Sequence, residues 1–411
     1  MWFRIAFLLA LTGASSAAYS DPLSFEEALR IAERSSDDLA AQSAGVDAAR
    51  LAARAAGRLP DPKLAFGIDN LPATGPDQWR LDRDFMTMRK VGLMQDFPNS
   101  ARRHAEVAAA GAAVDEAEAQ RRVRLLAVRT GAALAWLDRY YVERRIAVLA
   151  DLEHENQLFA TVVQAALAGG RGMAADIVAP RQEAADLADR LDAVHAEATK
   201  ASATLRRWVG AAADESLQGT PPALELDLDY LKNHVHAHPE IAVYQPRIAL
   251  AQAQLQAAEA SKHPDWGAEL SYAQRAAPFS DMVSLQFTVS LPVFSGGRQD
   301  PLIRAKAAER RRLEAEQRDM LRDHTAALEV QLADYTALCQ QLARVRDTRL
   351  PLAHQKVDLS LASYQGGKGE LAAVLAARRE LIDTQLQQID LQSRRDALAA
   401  TLRFNYLEAS P

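Results

Sequence analysis

The sequence is poor in the residues that build disulfide frameworks, cysteine metal clusters and aromatic cores. Its 411 residues include one cysteine, Cys339, and aromatic residues make up 6% of the chain. A single cysteine excludes an internal disulfide framework and a zinc site built from cysteines. The formal net charge of −6 argues against nucleic acid or an anionic membrane surface as a partner.

Motifs of common catalytic sites are missing as well. The segments "LAGGRG" (167–172) and "YQGGKG" (364–369) lack the preceding strand and the Lys-Ser/Thr ending of a phosphate-binding loop. Serine, histidine and aspartate are scattered without the strand–turn–helix context of a hydrolase. We therefore expect no enzyme activity, no catalytic residues and no cofactor.

The chain has little continuous hydrophobic sequence, and the main apolar run lies at the N-terminus. Residues 1–20 combine one positive charge, Arg4, with an apolar run from Ile5 to Leu11 and then small residues. This order is typical of a secretory signal peptide, and the run is far shorter than the ~20 residues that span a bilayer. A membrane anchor or a wrong start site is the alternative. No cysteine follows for lipid attachment.

What the sequence does contain is one unit used twice. Three landmarks recur in the same order, which predicts a tandem repeat of roughly 200 residues. The matched pairs are "VDAARLAARAAGRLPD" (46–61) with "LAQAQLQAAEASKHPD" (250–265), "LMQDFPNSARR" (93–103) with "VSLPVFSGGRQ" (289–299), and the two Gly-Gly segments. We predict repeat 1 at 21–218, a Gly- and Pro-containing linker at 219–235 and repeat 2 at 236–411.

Each repeat is predicted to hold a helix, two strands and a long helical hairpin. Ala-rich helices at about 24–58 and 239–262 end before Pro60 and Pro264. Long helices follow at about 101–167 and 299–364, each about 100 Å at 1.5 Å per residue, the second kinked by Pro351. Gly-Gly ends each long helix, because glycine adopts the left-handed conformation of a helix C-terminus. The last helices are predicted at 174–209 and 370–405.

Four segments alternate apolar and polar residues with the period of a strand. They are 63–70, 85–97, 265–273 and 282–292. Runs of about ten residues suit tilted membrane-spanning strands, although a soluble antiparallel sheet alternates in the same way. Four strands cannot close into a membrane barrel, which needs at least about eight. If these strands span a membrane, several chains must therefore share one barrel.

The histidine-rich segment "NHVHAHPE" (233–240) is a weak candidate for metal binding. If the segment is extended, His234, His236 and His238 share one face and offer ligands for zinc or copper. The alternative is a polar segment before the first helix of repeat 2. Met86 and Met88 share one face of a predicted strand, so packing is favoured over copper binding there.

The whole mature chain resembles the TolC family of outer-membrane factors, the exit ducts of tripartite efflux and type I secretion systems. The resemblance lies in "GRLPDPKLAFG" and "SKHPDWGAELSY", "FPNSARR" and "FSGGRQ", and "LAGGRG" and "YQGGKG". It implies a mainly α fold: a long α-helical barrel plus four strands per chain in two repeats, with a homotrimeric 12-stranded shared β-barrel. "LPDPKLAFGIDNLP" and "DFMTMRKVGLMQDFP" resemble the heavy-metal branch, the CzcC-like or CusC-like ducts.

The resemblance also gives the Gly-Gly turns a role as the periplasmic tips that constrict the duct. Asp176 and Tyr364 match a family acid and a family tyrosine, whereas Gly369, Ala373 and Ala376 stand where well-known members have an arginine and two acids. We hypothesise that charged residues at the tips substitute by pairing Asp176 and Glu370 with Arg171 or Lys368. The predicted tip residues are Gly169, Gly170, Arg171, Asp176, Tyr364, Gly366, Gly367, Lys368 and Glu370.

The resulting functional prediction is a passive exit duct in the outer membrane that extends into the periplasm. Its expected partners are two sister subunits, outer-membrane lipid, a periplasmic adaptor protein and an inner-membrane pump. Heavy-metal cations are the expected substrates on the subfamily resemblance. The alternative is a soluble periplasmic helical protein that acts as an adaptor or a metal-binding scaffold.

Overall fold

The fold is mainly helical, with a small antiparallel sheet. A computed structural model describes residues 22–170 and 173–407, so the predicted signal peptide at 1–20 lies outside the described residues. The described helices are α1 Phe25–Ser35, α2 Asp37–Ala55, α3 Ser100–Ala168, α4 Val178–Val209, α5 Leu228–Asn233, α6 Pro239–Ala242, α7 Tyr244–Ala260, α8 Ser295–Arg344, α9 Leu350–Gln365 and α10 Leu371–Leu402. The strands are β1 Lys63–Asp69, β2 Met88–Phe97, β3 Asp265–Arg275 and β4 Met282–Ser290.

Two compact units divide the chain, and each takes segments from both sequence repeats. The helical unit comprises the described residues of Met1–Ser35, Gly131–Ala223 and Gln341–Ala397. The strand unit comprises those of Ser36–Thr130, Leu224–Gln340 and Leu398–Pro411. Structural units and repeats are therefore different divisions of the chain, and the repeat boundaries stay a prediction.

The helical unit is held together by apolar residues at helical spacing. On α4, Leu187, Val194 and Ala201 recur every seventh residue, so they share one face of the helix. They form a buried cluster with Val142, Leu149 and Leu152 of α3 and Ile382 of α10. Burial of a leucine side chain stabilises a fold by about 1.5–3 kcal/mol, so this cluster is a main stabilising element of the unit.

A close approach of two helices in the same unit depends on a glycine. Gly131 of α3 lies directly against the indole of Trp208 at the end of α4, where an added Cβ would come within 2.3 Å of the ring. The contact requires a residue without a side chain, because real Cβ atoms do not approach a ring this closely. Gly131 therefore sets how near these two helices pack.

Two of the predicted helices are interrupted. The predicted helix at 24–58 is two helices, because Ser36 has an extended backbone and its side chain caps α2 by accepting a hydrogen bond from the Leu39 N–H at 3.2 Å. The predicted helix at 239–262 likewise divides into α6 and α7. In both places the prediction of one continuous helix was wrong, since apolar periodicity continues across a break of a single residue.

The predicted kink near Pro351 takes the form of a π-helical turn. Residues Val345–Arg349 form this turn between α8 and α9, and Pro351 stands in the first turn of α9. Proline has no N–H to donate and its ring crowds the preceding turn, which disrupts the α-helical ladder on its N-terminal side. A widened π turn accommodates the defect without ending the helical path.

None of the helices within the described residues combines the length and the apolar character needed to cross a membrane.

Candidate functional site

The four strands form one antiparallel sheet in chain order, β1-β2-β3-β4. Leu64 pairs with Leu93, Leu93 with Leu270, and Leu270 with Leu285, so one row of leucines crosses the whole sheet. The two outer strands, β1 and β4, each have a neighbour on one side only within the described chain. Their free edges carry backbone N–H and C=O groups that need partners.

One face of the sheet is apolar and exposed. Phe66 is 85% exposed, Val283 72% and Leu285 62%. Because side chains alternate between faces along a strand, the register gives the apolar residues of this face as Leu64, Phe66, Ile68, Val91, Leu93, Phe97, Trp266, Leu270, Tyr272, Val283, Leu285, Phe287 and Val289. Three polar residues, Arg89, Gln95 and Gln274, lie on the same face. Soluble proteins commonly expose single apolar residues but rarely a contiguous apolar surface of this extent. Such a surface marks a site that contacts lipid or another apolar partner.

The opposite face is polar, and on the inner strands β2 and β3 its residues are less exposed than those of the apolar face, whereas β1 and β4 are exposed on both faces. Ser271 is 5% exposed, and Lys90 forms an ion pair with Glu269 across β2 and β3 at 2.9 Å. Lys63 pairs with Asp96 at 2.7 Å near the end of the sheet. This arrangement reverses that of a soluble protein, where the apolar face is covered and the polar face meets water.

The strands differ from their predicted bounds at the turns. The run predicted at 85–97 begins as a strand only at Met88, because Asp84 holds the preceding residues in a turn. Its carboxylate accepts a hydrogen bond from the Met86 N–H at 3.2 Å, and its carbonyl accepts one from the Thr87 N–H at 3.3 Å. Met86 therefore lies outside the strand on which we had placed it with Met88. β4 ends at Ser290, before Pro292.

The first Gly-Gly segment lies at the end of α3 in the helical unit. Gly170 has a φ of +68°, and its N–H donates to the Leu167 carbonyl at 2.9 Å. Asp176 then orders the chain before α4, because its carboxylate accepts a hydrogen bond from the Met173 N–H at 2.8 Å. Arg171 lies outside the described residues. Asp176 thus has a local structural role in addition to the one predicted for it.

The second Gly-Gly segment closes the end of α9 differently. Gly367 has a φ of +70°, and the N–H groups of Lys368 and Gly369 both donate to the Ser363 carbonyl, at 3.0 and 3.1 Å. An added Cβ at Gly369 would lie 2.9 Å from the Ser363 hydroxyl oxygen. The position where well-known family members have an arginine therefore serves here to close a tight turn.

Of the predicted tip residues, Tyr364 is the one packed into the helical unit. Its ring lies against the cluster of Phe159, Val163, Leu371 and Val374, and its hydroxyl is buried with no hydrogen-bond partner among the described residues. Lys368 and Glu370 are exposed, and no ion pair forms between either of them and the described part of the chain. Pairing of tip charges stays a prediction.

The histidine-rich segment is not extended, so its three side chains do not share a face. It folds into α5, a short 3₁₀ turn at Val235–Ala237 and α6. His234 stacks on Tyr230 with ring centres 3.8 Å apart, whereas His238 is buried and lies 3.9 Å from the ring of His324 on α8. The expectation of one extended face was wrong, because His238 acts as the N-cap of α6.

His238, Glu240 and His324 form a cluster that the sequence did not predict. The Nε2 atom of His324 lies 3.0 Å from a carboxylate oxygen of Glu240. Burial, followed by the nearby His324, lowers the pKa of His238 to about 4. Glu240 and His324 are 84 positions apart, so spacing along the chain carried no signal that would bring them together.

Comparisons with known proteins agree with this geometry. Residues 232–405 match the model of the family described as outer membrane efflux protein. No curated protein sequence matches the chain as a relative. A membrane protein from Pseudomonas aeruginosa has a similar structure, with a TM-score of 0.78 and 17% identity, over 92% of this chain and 92% of that one.

Two further structures are also similar to this chain. VceC from Vibrio cholerae has a TM-score of 0.73 and 21% identity, covering 92% of this chain and 95% of that chain. CusC has a TM-score of 0.73 and 16% identity, covering 92% and 91%. At these identities the structural likeness establishes the fold. The family match over residues 232–405 and the shared fold make outer-membrane efflux proteins the family that this chain resembles in both sequence and structure.

Proposed function

We propose that three copies of this chain form the exit duct of a tripartite efflux system. The observation that carries the proposal is the sheet, with an exposed apolar face and two free edges. In lipid, backbone groups at a strand edge have no water to bind and must be paired. Pairing β4 of one copy with β1 of the next satisfies both edges, and three copies give the 12 strands expected from the resemblance.

The polar face of the sheet suits the inside of such a barrel. The Lys90–Glu269 pair and the serine and threonine side chains lie there, and water in a lumen would solvate them. The apolar face, with Phe66 and Leu285, then contacts lipid. An adaptor protein and an inner-membrane pump are the further partners we propose, since the duct itself has no energy source.

The test is the oligomeric state in the outer membrane. We expect a cross-linkable, heat-resistant trimer in the outer-membrane fraction, and its amount should fall when the β1 edge is disrupted by Ala65→Pro. Proline removes a backbone donor and is excluded from paired strands, whereas Ala73→Pro, in the exposed loop between β1 and β2, is the matched control. A monomer in the fluid released by osmotic shock contradicts the duct and supports the soluble periplasmic alternative.

The substrate we propose is a heavy-metal cation. The support is the resemblance of the first-repeat strand region to the heavy-metal branch, together with CusC among the similar structures. Deletion of the gene is expected to sensitise cells to zinc, cobalt, cadmium or copper, with recovery on expression of the wild-type chain but not of Ala65→Pro. Sensitivity to common drugs alone contradicts the metal assignment and leaves the duct intact.

We propose further that the two Gly-Gly turns form the periplasmic aperture. Arg171, Asp176, Lys368 and Glu370 would pair between neighbouring copies and hold it closed. Partly exposed pairs contribute about 0–1 kcal/mol each, so several must act together. Neutralising all four residues is expected to raise single-channel conductance in planar bilayers, and unchanged conductance contradicts this gating role.

A further inference from the structure

The cluster of His238, Glu240 and His324 has the composition of a transition-metal site. Each residue offers one ligand atom, and the three atoms lie within 4.8 Å of one another. Two imidazoles and a carboxylate are the donor set of three-ligand zinc sites that keep an open position for water or a further ligand. We propose that the cluster binds one divalent cation of the zinc class.

Packing of the strand unit fixes two of the three donors. His324 follows the same helical face of α8 as Leu328 and Leu332, since the three are four residues apart. Leu328 and Leu332 belong to the buried cluster with Leu231, Leu402 and Tyr406. His238 is 6% exposed, and its ring centre lies 5.0 Å from that of Tyr406. Both imidazoles are therefore held in place before any ion arrives.

The third donor provides access and the means of adjustment. The Glu240 side chain is 54% exposed, so an ion can reach the cluster from solvent. Zinc ligands lie about 2.0–2.2 Å from the ion, so the donors must draw together slightly, and an exposed carboxylate can move. The Glu240 N–H contact to His238 Nδ1 is long, at 3.3 Å, so little hydrogen bonding is lost when Glu240 moves towards the ion.

A bound ion would join the short helix α6 to the long helix α8. Glu240 and His238 stand at the start of α6, and His324 lies on α8. An ion that binds the folded chain and not the unfolded one stabilises the folded state in proportion to its occupancy. The inference is independent of the proposed transport function, because it concerns an ion resident in the protein and not one that passes through it.

The test is isothermal titration calorimetry with zinc chloride on the detergent-purified full chain after removal of metal with EDTA. We expect one ion per chain and an affinity at least about tenfold weaker for His324→Gln and for Glu240→Gln, since the loss of even a supporting residue weakens metal sites by about 10–100-fold. The paired variant His234→Gln/His236→Gln keeps the wild-type affinity and is the matched control, because those histidines lie in the same segment outside the cluster.

Folding of the variants is checked separately from binding. Glu240→Gln changes an exposed side chain, so its yield and circular dichroism should equal those of the wild type. Three results overturn the inference: absence of zinc binding by the wild type, equal affinity in the cluster variants, and loss of binding in the His234/His236 control. A cobalt-loaded wild type whose visible absorption differs from that of aqueous cobalt, with no such difference for His324→Gln, supports it further.

Discussion

The sheet and the helical unit use leucine in opposite ways. Leu187 of α4 is 2% exposed in a buried cluster, whereas Leu285 of β4 is 62% exposed on the outer face of the sheet. The hydrophobic effect, which favours the removal of apolar surface from water, accounts for leucine at both positions. The difference lies in what replaces the water, which is other side chains in the helical unit and, in the proposed barrel, lipid at the sheet. The exposure of Leu285 in a single chain therefore does not measure how much of its surface is in contact with water in the assembled protein.

The largest expected effect is a loss of stability when leucine is replaced by alanine in the helical unit, compared with the same replacement in the sheet. Leu187→Ala opens a cavity in the buried cluster and should lower the free energy of unfolding by about 2–5 kcal/mol. Leu285→Ala leaves no cavity within the chain, so its effect in detergent should be much smaller. Chemical unfolding of the purified protein measures both, and equal losses would contradict the assignment of Leu285 to a lipid-facing surface.

An arginine placed on either face of β4 tests which face of the sheet contacts lipid. Leu285→Arg puts a cation on the apolar face, which costs about 2–4 kcal/mol at the middle of a bilayer, so the amount of chain in the outer membrane should fall. Gln286→Arg is the matched control, because residue 286 lies on the polar face opposite Glu269. Immunoblots of outer-membrane fractions compare the two, and equal yields would contradict the assigned faces.

Acid is expected to act on the strand unit through His238. The pKa of its imidazole is lowered from 6.5 to about 4, so below pH 6.5 the unfolded chain binds a proton that the folded chain does not. Stability is therefore full above pH 6.5 and is lost as the pH falls towards 4, by up to about 3 kcal/mol at 1.36 kcal/mol per pKa unit.

Thermal unfolding in EDTA at pH 7.5 and pH 5 measures this loss. The melting temperature of wild type should fall more than that of His238→Gln, since glutamine does not titrate. His236→Gln serves as the control and should follow the wild type. A parallel decrease in all three proteins would assign the acid sensitivity to other groups.

The smallest effects are expected at the turns. Gly170→Ala and Gly367→Ala force a side chain into the left-handed region, at a cost of about 1–2 kcal/mol each, although neither Cβ meets an atom within 4 Å. Gly297→Ala in α8 also has open space, but helical backbone, and should be neutral or slightly stabilising. Melting temperatures compare the three, and equal values would mean that the turns relax without the left-handed conformation.

Much of the fold was predictable because its signals are local. Alternation along 282–292 predicts a strand from neighbouring residues alone, and Gly-Gly marks the end of a helix in the same way. The break at Ser36 was missed because a serine cap interrupts the backbone without interrupting the apolar pattern. The π turn before Pro351 was predicted as a kink, but its form depends on how the helix accommodates the missing N–H.

The candidate sites were less predictable than the fold, because they depend on contacts that are not local in the sequence. The Gly-Gly turns were found by their repetition, whereas their different closures depend on Asp176 in one and Ser363 in the other. The sequence did not predict a role for His324, because its contact with His238 depends on how α8 packs against the segment before α7. Contacts between residues far apart in the chain need the tertiary fold, which spacing alone does not give.

The free edges of β1 and β4 have a genetic consequence. If each chain completes the hydrogen bonding of its neighbours, a chain with one defective edge also inactivates the wild-type chains with which it assembles. Co-expression of a defective allele with the normal gene would then reduce export by more than the fraction of defective chains, so mutations at these edges should be dominant.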